Sequence, residues 1–191
     1  MSIDVFQRAI SATEPVVANV ERQQLERPTP CASWDVRALV NHVVGSPRWF
    51  AETVATGVAP ASGNGEFQSD VTGGDIAAAY RESTAVALAA FSAPGALEMN
   101  VALPFGEMPA AGFLMMAAID QLQHGWDLAT ATGQSTDLDA ELASELLAFA
   151  RAAIPDMLRG PDGVAPFGAA VPAPEGTSAN DALAAFLGRR D

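Results

Sequence analysis

Apolar residues return every three to four positions along most of this chain, and proline or glycine closes nearly every such stretch. That is the rhythm of a helix with one buried face, not the two-residue alternation of a strand, so it commits the chain to helices packed side by side. Ile3, Phe6, Ile10, Val17 and Val20 mark a first helix from residue 3 to about 24, with Pro15 expected to kink or split it and "ERPTPCAS" to end it. Ser33 is expected to cap a second helix whose inward stripe is Val36, Leu39, Val40, His42 and Val43, bent at "GSP" (45–47) and ending near Val54. Asp75 caps a third helix to about Phe91. Pro109 opens a fourth to about Ala131, closed by Gly133, and a fifth covers about 138–158. "TSANDALAAFLG" is a short last helix capped by Thr177 or Ser178 and ended by Gly188. Residues 57–74 read as a mobile loop, and 99–103 as a short extended piece.

Composition agrees. Hydrophobic residues are 49 % and charged residues 17 % of 191, rich in Ala and poor in β-branched runs, which favours an all-α fold. The length suits one domain: residues 1–160 as a helical bundle, and 161–191 as a C-terminal strap with a short helix packing on the same domain.

The charge narrows the partners. With 23 acidic and 10 basic side chains the net charge is -13, which repels nucleic-acid phosphates and an anionic membrane surface. No apolar window is long enough to span a bilayer, and the N-terminus lacks the basic and apolar regions of a leader. Cys31 is the single cysteine, so no internal disulfide forms, and a cytoplasmic protein is expected. Cys31 itself reads as a small buried or capping residue. Trp34, Trp49 and Trp126 read as core aromatics, and Asp127 as a partner for the first turn or for Arg37. No phosphate-binding loop, dinucleotide fingerprint, nucleophile elbow or CxxC pair is found.

Only two histidines are present, His42 and His124, and both fall on inward stripes. Asp120 and His124, four apart on the fourth helix, share one face about one turn from each other. Such a pair is a hydrogen-bonded core contact, a solvated surface pair or half of a chelate. With His42 from a neighbouring helix, it matches the two-histidine, one-carboxylate pattern of a metal site that leaves positions open.

Three stretches resemble one family: "TPCASWDVRALVNHVVG" (29–45), "FGEMPAAGFLMMAAIDQLQHGWDLATATGQ" (105–134) and "APFGAAVPAPEGTSANDALAAFLGRRD" (165–191). They look like the metal-binding domain of mycothiol-dependent maleylpyruvate isomerases, within the DinB-like superfamily. The resemblance implies an up-and-down four-helix bundle with a divalent metal, usually zinc, with nickel, manganese or iron as alternatives. Its ligands would be His42 of "NHVVG" and Asp120 and His124 of "DQLQHGWDLA". The family pattern has glutamate where Asp120 stands, so a shorter reach is expected here, and Asp120→Glu is expected to hold the ion at least as well. The strap is expected to stand in place of the separate C-terminal domain of the isomerases.

The resemblance further implies a low-molecular-weight thiol as cosubstrate, activated by the metal to attack an electrophilic substrate in a transferase or isomerase reaction. Maleylpyruvate itself is not expected as that substrate. The alternative is a non-catalytic metal-binding, sensor or accessory module, and the oligomeric state stays open, a homodimer among the options.

Overall fold

The computed structural model describes residues 2–61, 70–161, 164–165 and 167–189. Four long helices form the body: α1 (Asp4–Ala18), α2 (Val36–Thr56), α3 (Ile76–Phe91) and α4 (Ala110–Thr132). Strands β1 (Asn100–Leu103) and β2 (Gly106–Pro109) form a small antiparallel hairpin before α4, with Asn100 opposite Pro109 and Leu103 opposite Gly106. Helices α5 (Ala140–Ala153) and α6 (Ala179–Phe186) follow. The protein is thus mostly helical, with one two-stranded sheet among the described residues. No described helix is long and apolar enough to cross a membrane.

Helix α1 packs between α4 and α3, and α2 packs against α3 and α4 on the opposite side. The contacts give the helix directions. Thr13 of α1 meets Gln121 of α4, while Phe6 and Phe113, each near the start of its helix, share one aromatic cluster with Phe50 and Phe91 near the ends of α2 and α3. Helices α1 and α4 therefore run one way, and α2 and α3 both run the other. This departs from the expected strictly up-and-down order. The physical reason is the 57–75 connection: extended chain covers about 3.3 Å per residue against 1.5 Å in a helix, so it can return the length of α2 before α3 begins. Part of that stretch, 62–69, lies outside the described residues, as does that part of the expected mobile loop.

Local chemistry explains the boundaries and corrects several expectations. Pro15 sits in the last turn of α1 without splitting it, and the chain leaves the helix at Asn19 before a short 3-10 turn at Arg22–Gln24. Asp35, not Ser33, caps α2, its carboxylate accepting from the Ala38 amide at 2.8 Å. That helix continues through Pro47 to Thr56. Asp75 caps α3 and Ser178 caps α6, as the sequence indicates. Pro109 is the extended residue just before α4, and Gly133 ends that helix at φ 75°, the left-handed conformation glycine allows. Helix α5 stops at Ala153, because Pro155 pushes Ile154 out of the helical region, to φ -102° and ψ 98°.

The extended piece expected at 99–103 is β1, but its partner β2 was not foreseen. Pro104 and Phe105 make the turn between them, and Gly106, at φ 130°, opens β2. Helix α6 lies on α5 and α4, and the Trp126 indole donates to Asp181 at 2.8 Å across that contact.

Candidate metal centre

His42 lies one turn and a half into α2 and is buried, on the face turned to α4. Asp120 and His124 stand one turn apart on the facing stripe of α4. The packing of α2 on α4 brings the three together: one donor atom from each lies within 4.8 Å of the others. His42 Nε2 is 2.9 Å and His124 Nε2 is 3.7 Å from Asp120 Oδ1. The imidazole planes stand nearly perpendicular, 76° apart, with centroids 4.6 Å apart.

The aspartate is held from behind. Its Oδ2 accepts from Ser46 Oγ at 3.0 Å and from Gln121 Nε2 at 3.1 Å, and Gln121 also donates to Ser46. Burial by itself would raise the Asp120 pKa. The charge and hydrogen bond of His42, then the charge of His124 and the Ser46 hydroxyl, outweigh it and bring the group down to about 2. A carboxylate is thus kept ionised between two imidazoles. Trp34 lies across both rings, its centroid 4.7 Å from His42 and 5.6 Å from His124. The His42 side chain is only 3 % exposed, but Asp120 and His124 retain 15 % and 12 %, so the group is open on one side.

The donor set fits a divalent cation. Two imidazole nitrogens and one carboxylate oxygen suit zinc and its first-row neighbours, and donors around such an ion stand roughly 3–3.5 Å apart for ligand bonds of about 2 Å. The distances of 2.9 and 3.7 Å bracket that range. Three donors from two helices also leave coordination positions free.

Several residues around the site were not read from the sequence in these roles. Ser46 follows His42 by four positions on α2, a spacing that could have marked it. Asp127, three after His124, lies 2.9 Å from His124 Nδ1 through Oδ2. Among the described residues no hydrogen bond or ion pair joins it to Arg37, one of the two partners expected. Arg189, near the C-terminal end, grips it instead: Nε donates to Oδ1 at 3.0 Å and Nη2 to Oδ2 at 3.0 Å. Gln123 Nε2 donates to Oδ1 at 3.2 Å. Burial alone would raise the Asp127 pKa, but the Arg189 guanidinium and His124 hold it far below the ordinary carboxylate range. Burial pushes the His124 pKa down, against the opposing pull of Asp127.

Cys31 is buried, as expected of a small core residue, but it also joins the site. Its Sγ donates to Asp127 Oδ2 at 3.2 Å and lies 3.9 Å from His124 Nδ1. Cys31, His124 and Asp127 form a second close group of donors. There the guanidinium already compensates Asp127, whereas Asp120 has no arginine against it among the described hydrogen bonds and ion pairs. Of the two groups, His42, Asp120 and His124 is therefore the closer fit to a cation. Of the three tryptophans, Trp49 and Trp126 are buried, while Trp34 is partly buried over the histidines.

Comparison with known proteins agrees in fold and sequence. Two uncharacterised proteins, from two strains of Mycobacterium tuberculosis, are each 43 % identical over 187 residues, covering 96 % of this chain and 94 % of theirs. A crystal structure of the mycothiol-dependent maleylpyruvate isomerase superposes with a TM-score of 0.63 at 16 % identity, over 76 % of this chain and 66 % of that one. A histidine-to-alanine mutant of that isomerase superposes with a TM-score of 0.57 at 15 % identity. The chain thus spans just under two thirds of the solved isomerase's length, and at this identity the likeness is one of fold. The family described as the mycothiol maleylpyruvate isomerase N-terminal domain matches residues 6–129, a stretch that holds His42, Asp120 and His124. The chain belongs to the mycothiol maleylpyruvate isomerase N-terminal domain family.

Proposed function

We propose that this protein binds a divalent metal, zinc foremost, through His42, Asp120 and His124, and acts as a thiol-dependent transferase or isomerase. The convergence of two imidazole nitrogens and one ionised carboxylate from α2 and α4 carries this reading. Family membership supports a mycothiol-type cosubstrate. In the same reading residues 1–160 are a DinB-like four-helix bundle with 161–191 strapped onto it, and the protein works in the cytoplasm. The net charge of -13 argues against nucleic acid and anionic membrane as partners.

A divalent cation held there supplies Lewis acidity that favours thiolate over thiol, so the nucleophile arrives with the cosubstrate. The chain's residues do the rest. Ser46 and Gln121 fix the aspartate so that Oδ1 faces the imidazoles. Trp34 covers one side of both rings and limits the water that reaches them. Asp120 and His124, still partly exposed, define the open side from which the thiol enters.

The test is metal analysis of the purified protein, followed by titration of the cobalt-substituted form with mycothiol. A sulfur-to-cobalt charge-transfer band supports the reading. Metal binding without that band leaves a metal-binding module without thiol chemistry, and absence of stoichiometric metal overturns the site.

A further inference from the structure

The two imidazoles are not supported alike. His42 Nδ1 is buried with no hydrogen-bond partner among the described residues, whereas His124 Nδ1 lies 2.9 Å from Asp127 Oδ2. Asp127 is fully buried, and the Arg189 guanidinium grips both of its oxygens in the two-pronged geometry that fixes a carboxylate plane. A carboxylate paired with guanidinium accepts hydrogen bonds and donates none, so the proton between Asp127 and His124 stands on Nδ1. His124 Nε2 is then left with its lone pair facing Asp120 and His42.

Arg189 lies outside the stretch that matches the family, 6–129, and its position is set by close backbone packing at the end of the chain. Gly188, at φ 92°, lies so near Gly168 that a Cβ on Gly188 would stand 2.5 Å from the Gly168 Cα. Arg159 ties the same segment down: Nη1 donates to the carbonyls of Gly168 and Phe186 at 2.9 and 2.8 Å, with the guanidinium 4.4 Å over the Phe186 ring. The Arg189 amide donates to the Ala184 carbonyl at 2.9 Å.

We propose that Arg189 is a positioning residue of the metal site: acting through Asp127, it locks the ring of His124 in the orientation and tautomer that offer Nε2 as a ligand. The C-terminal strap is then a working part of the site. The proposal rests on His124 being a ligand, but the proton it places on Nδ1 can be observed with no metal present.

The experiment uses the full chain labelled with nitrogen-15 in its histidine rings, metal-free, slightly above neutral pH. Two-bond proton–nitrogen spectra report which ring nitrogen carries the proton, and with two histidines in the chain a His42→Gln variant assigns the signals. The expected result is a proton on Nδ1 of His124 in the parent. Arg189→Met should shift it toward Nε2 or a mixture, and Arg189→Lys should restore it in part. Zinc affinity, measured by competition with a chelator, should fall about 10–100-fold in Arg189→Met, the range for loss of a group that orients a ligand, and recover partly in Arg189→Lys. A parent proton on Nε2 overturns the proposal even if the Met variant fails to fold. So does a folded Arg189→Met protein with parental tautomer and zinc affinity. If the parent binds no zinc but carries the proton on Nδ1, the ligand assignment fails while the clamp on His124 stands.

Discussion

Gly125 of α4 lies so close to Thr13 of α1 that a Cβ at position 125 would stand 2.5 Å from Thr13 Oγ1 and 3.0 Å from its Cγ2. Thr13 is buried, and its hydroxyl donates to the Gln121 carbonyl at 3.0 Å, so the two helices meet through a glycine and a threonine. Gly125 directly follows His124, and this contact helps to fix where the histidine stands.

Gly125→Ala should therefore destabilise the protein although alanine is the better helix former. Rotating Thr13 about its Cα–Cβ bond gives no relief, because Cβ and Cγ2 are also within 3.1 Å. An overpacking cost of about 1–3 kcal/mol, reduced by the roughly 1 kcal/mol that alanine gains over glycine in a helix, leaves a net loss of up to about 2 kcal/mol. Urea unfolding measures it, and adding Thr13→Ala should recover most of the loss. If Gly125→Ala is as stable as the parent, the helices do not meet as described.

His42→Ala and His124→Ala should each remove stoichiometric zinc binding. The loss should exceed the 10–100-fold expected for residues that only orient a ligand. Metal analysis after dialysis, with competition titration, reads this directly. A His42→Ala protein that keeps one tightly held zinc per chain would remove that residue from the site and favour the group of Cys31, His124 and Asp127.

Much of this was legible in the sequence because helical periodicity reports burial, and burial put His42 and the Asp120–His124 pair on inward faces. Asp75, Gly133 and Ser178 are also visible, because caps and stops act on their own helix. What escaped depends on contacts distant in sequence or on competition between neighbouring residues. Arg189 meets Asp127 across 62 positions, and no local pattern announces it. Ser33 and Asp35 are both good caps, and only the conformation of the turn decides for Asp35. The parallel course of α2 and α3 was hidden because periodicity carries no direction.

The contact between α1 and the start of α5 should weaken in acid. Asp139 caps α5 through the Leu142 amide at 2.9 Å and accepts from Arg8 of α1 at 2.8 and 3.1 Å. Burial raises the Asp139 pKa, but the Arg8 hydrogen bond and the Leu142 amide outweigh it, and the net shift is downward. A lowered folded pKa means that the stabilisation is complete above the unfolded value, about 3.9, and is lost as the pH falls below it through the folded one. Asp139→Ala should cost about 1 kcal/mol at neutral pH, the usual scale for a lost cap. The difference from the parent in urea unfolding should shrink below about pH 4. A difference that grows on acidification would refute this assignment.

Asp120→Glu should weaken zinc binding, although glutamate stands at this place in the family pattern and the sequence suggested it would serve at least as well. Asp120 Oδ1 is already 2.9 Å from His42 Nε2, and Oδ2 is bound to Ser46 and Gln121. The pocket is thus contracted around the shorter acid. One more methylene must either push the carboxylate into the imidazoles or swing it away from Ser46, which is fully buried and cannot retreat. Asp120→Asn keeps the shape and removes the charge, so it should weaken binding through electrostatics alone. The two effects separate in a double variant: Asp120→Glu with Ser46→Ala gains the volume of one oxygen atom behind the acid and should recover part of the affinity, whereas Asp120→Asn with Ser46→Ala should not. Zinc competition titrations on the four proteins decide the point. If Asp120→Glu binds as tightly as the parent with Ser46 intact, the carboxylate pocket is roomier than the distances here describe.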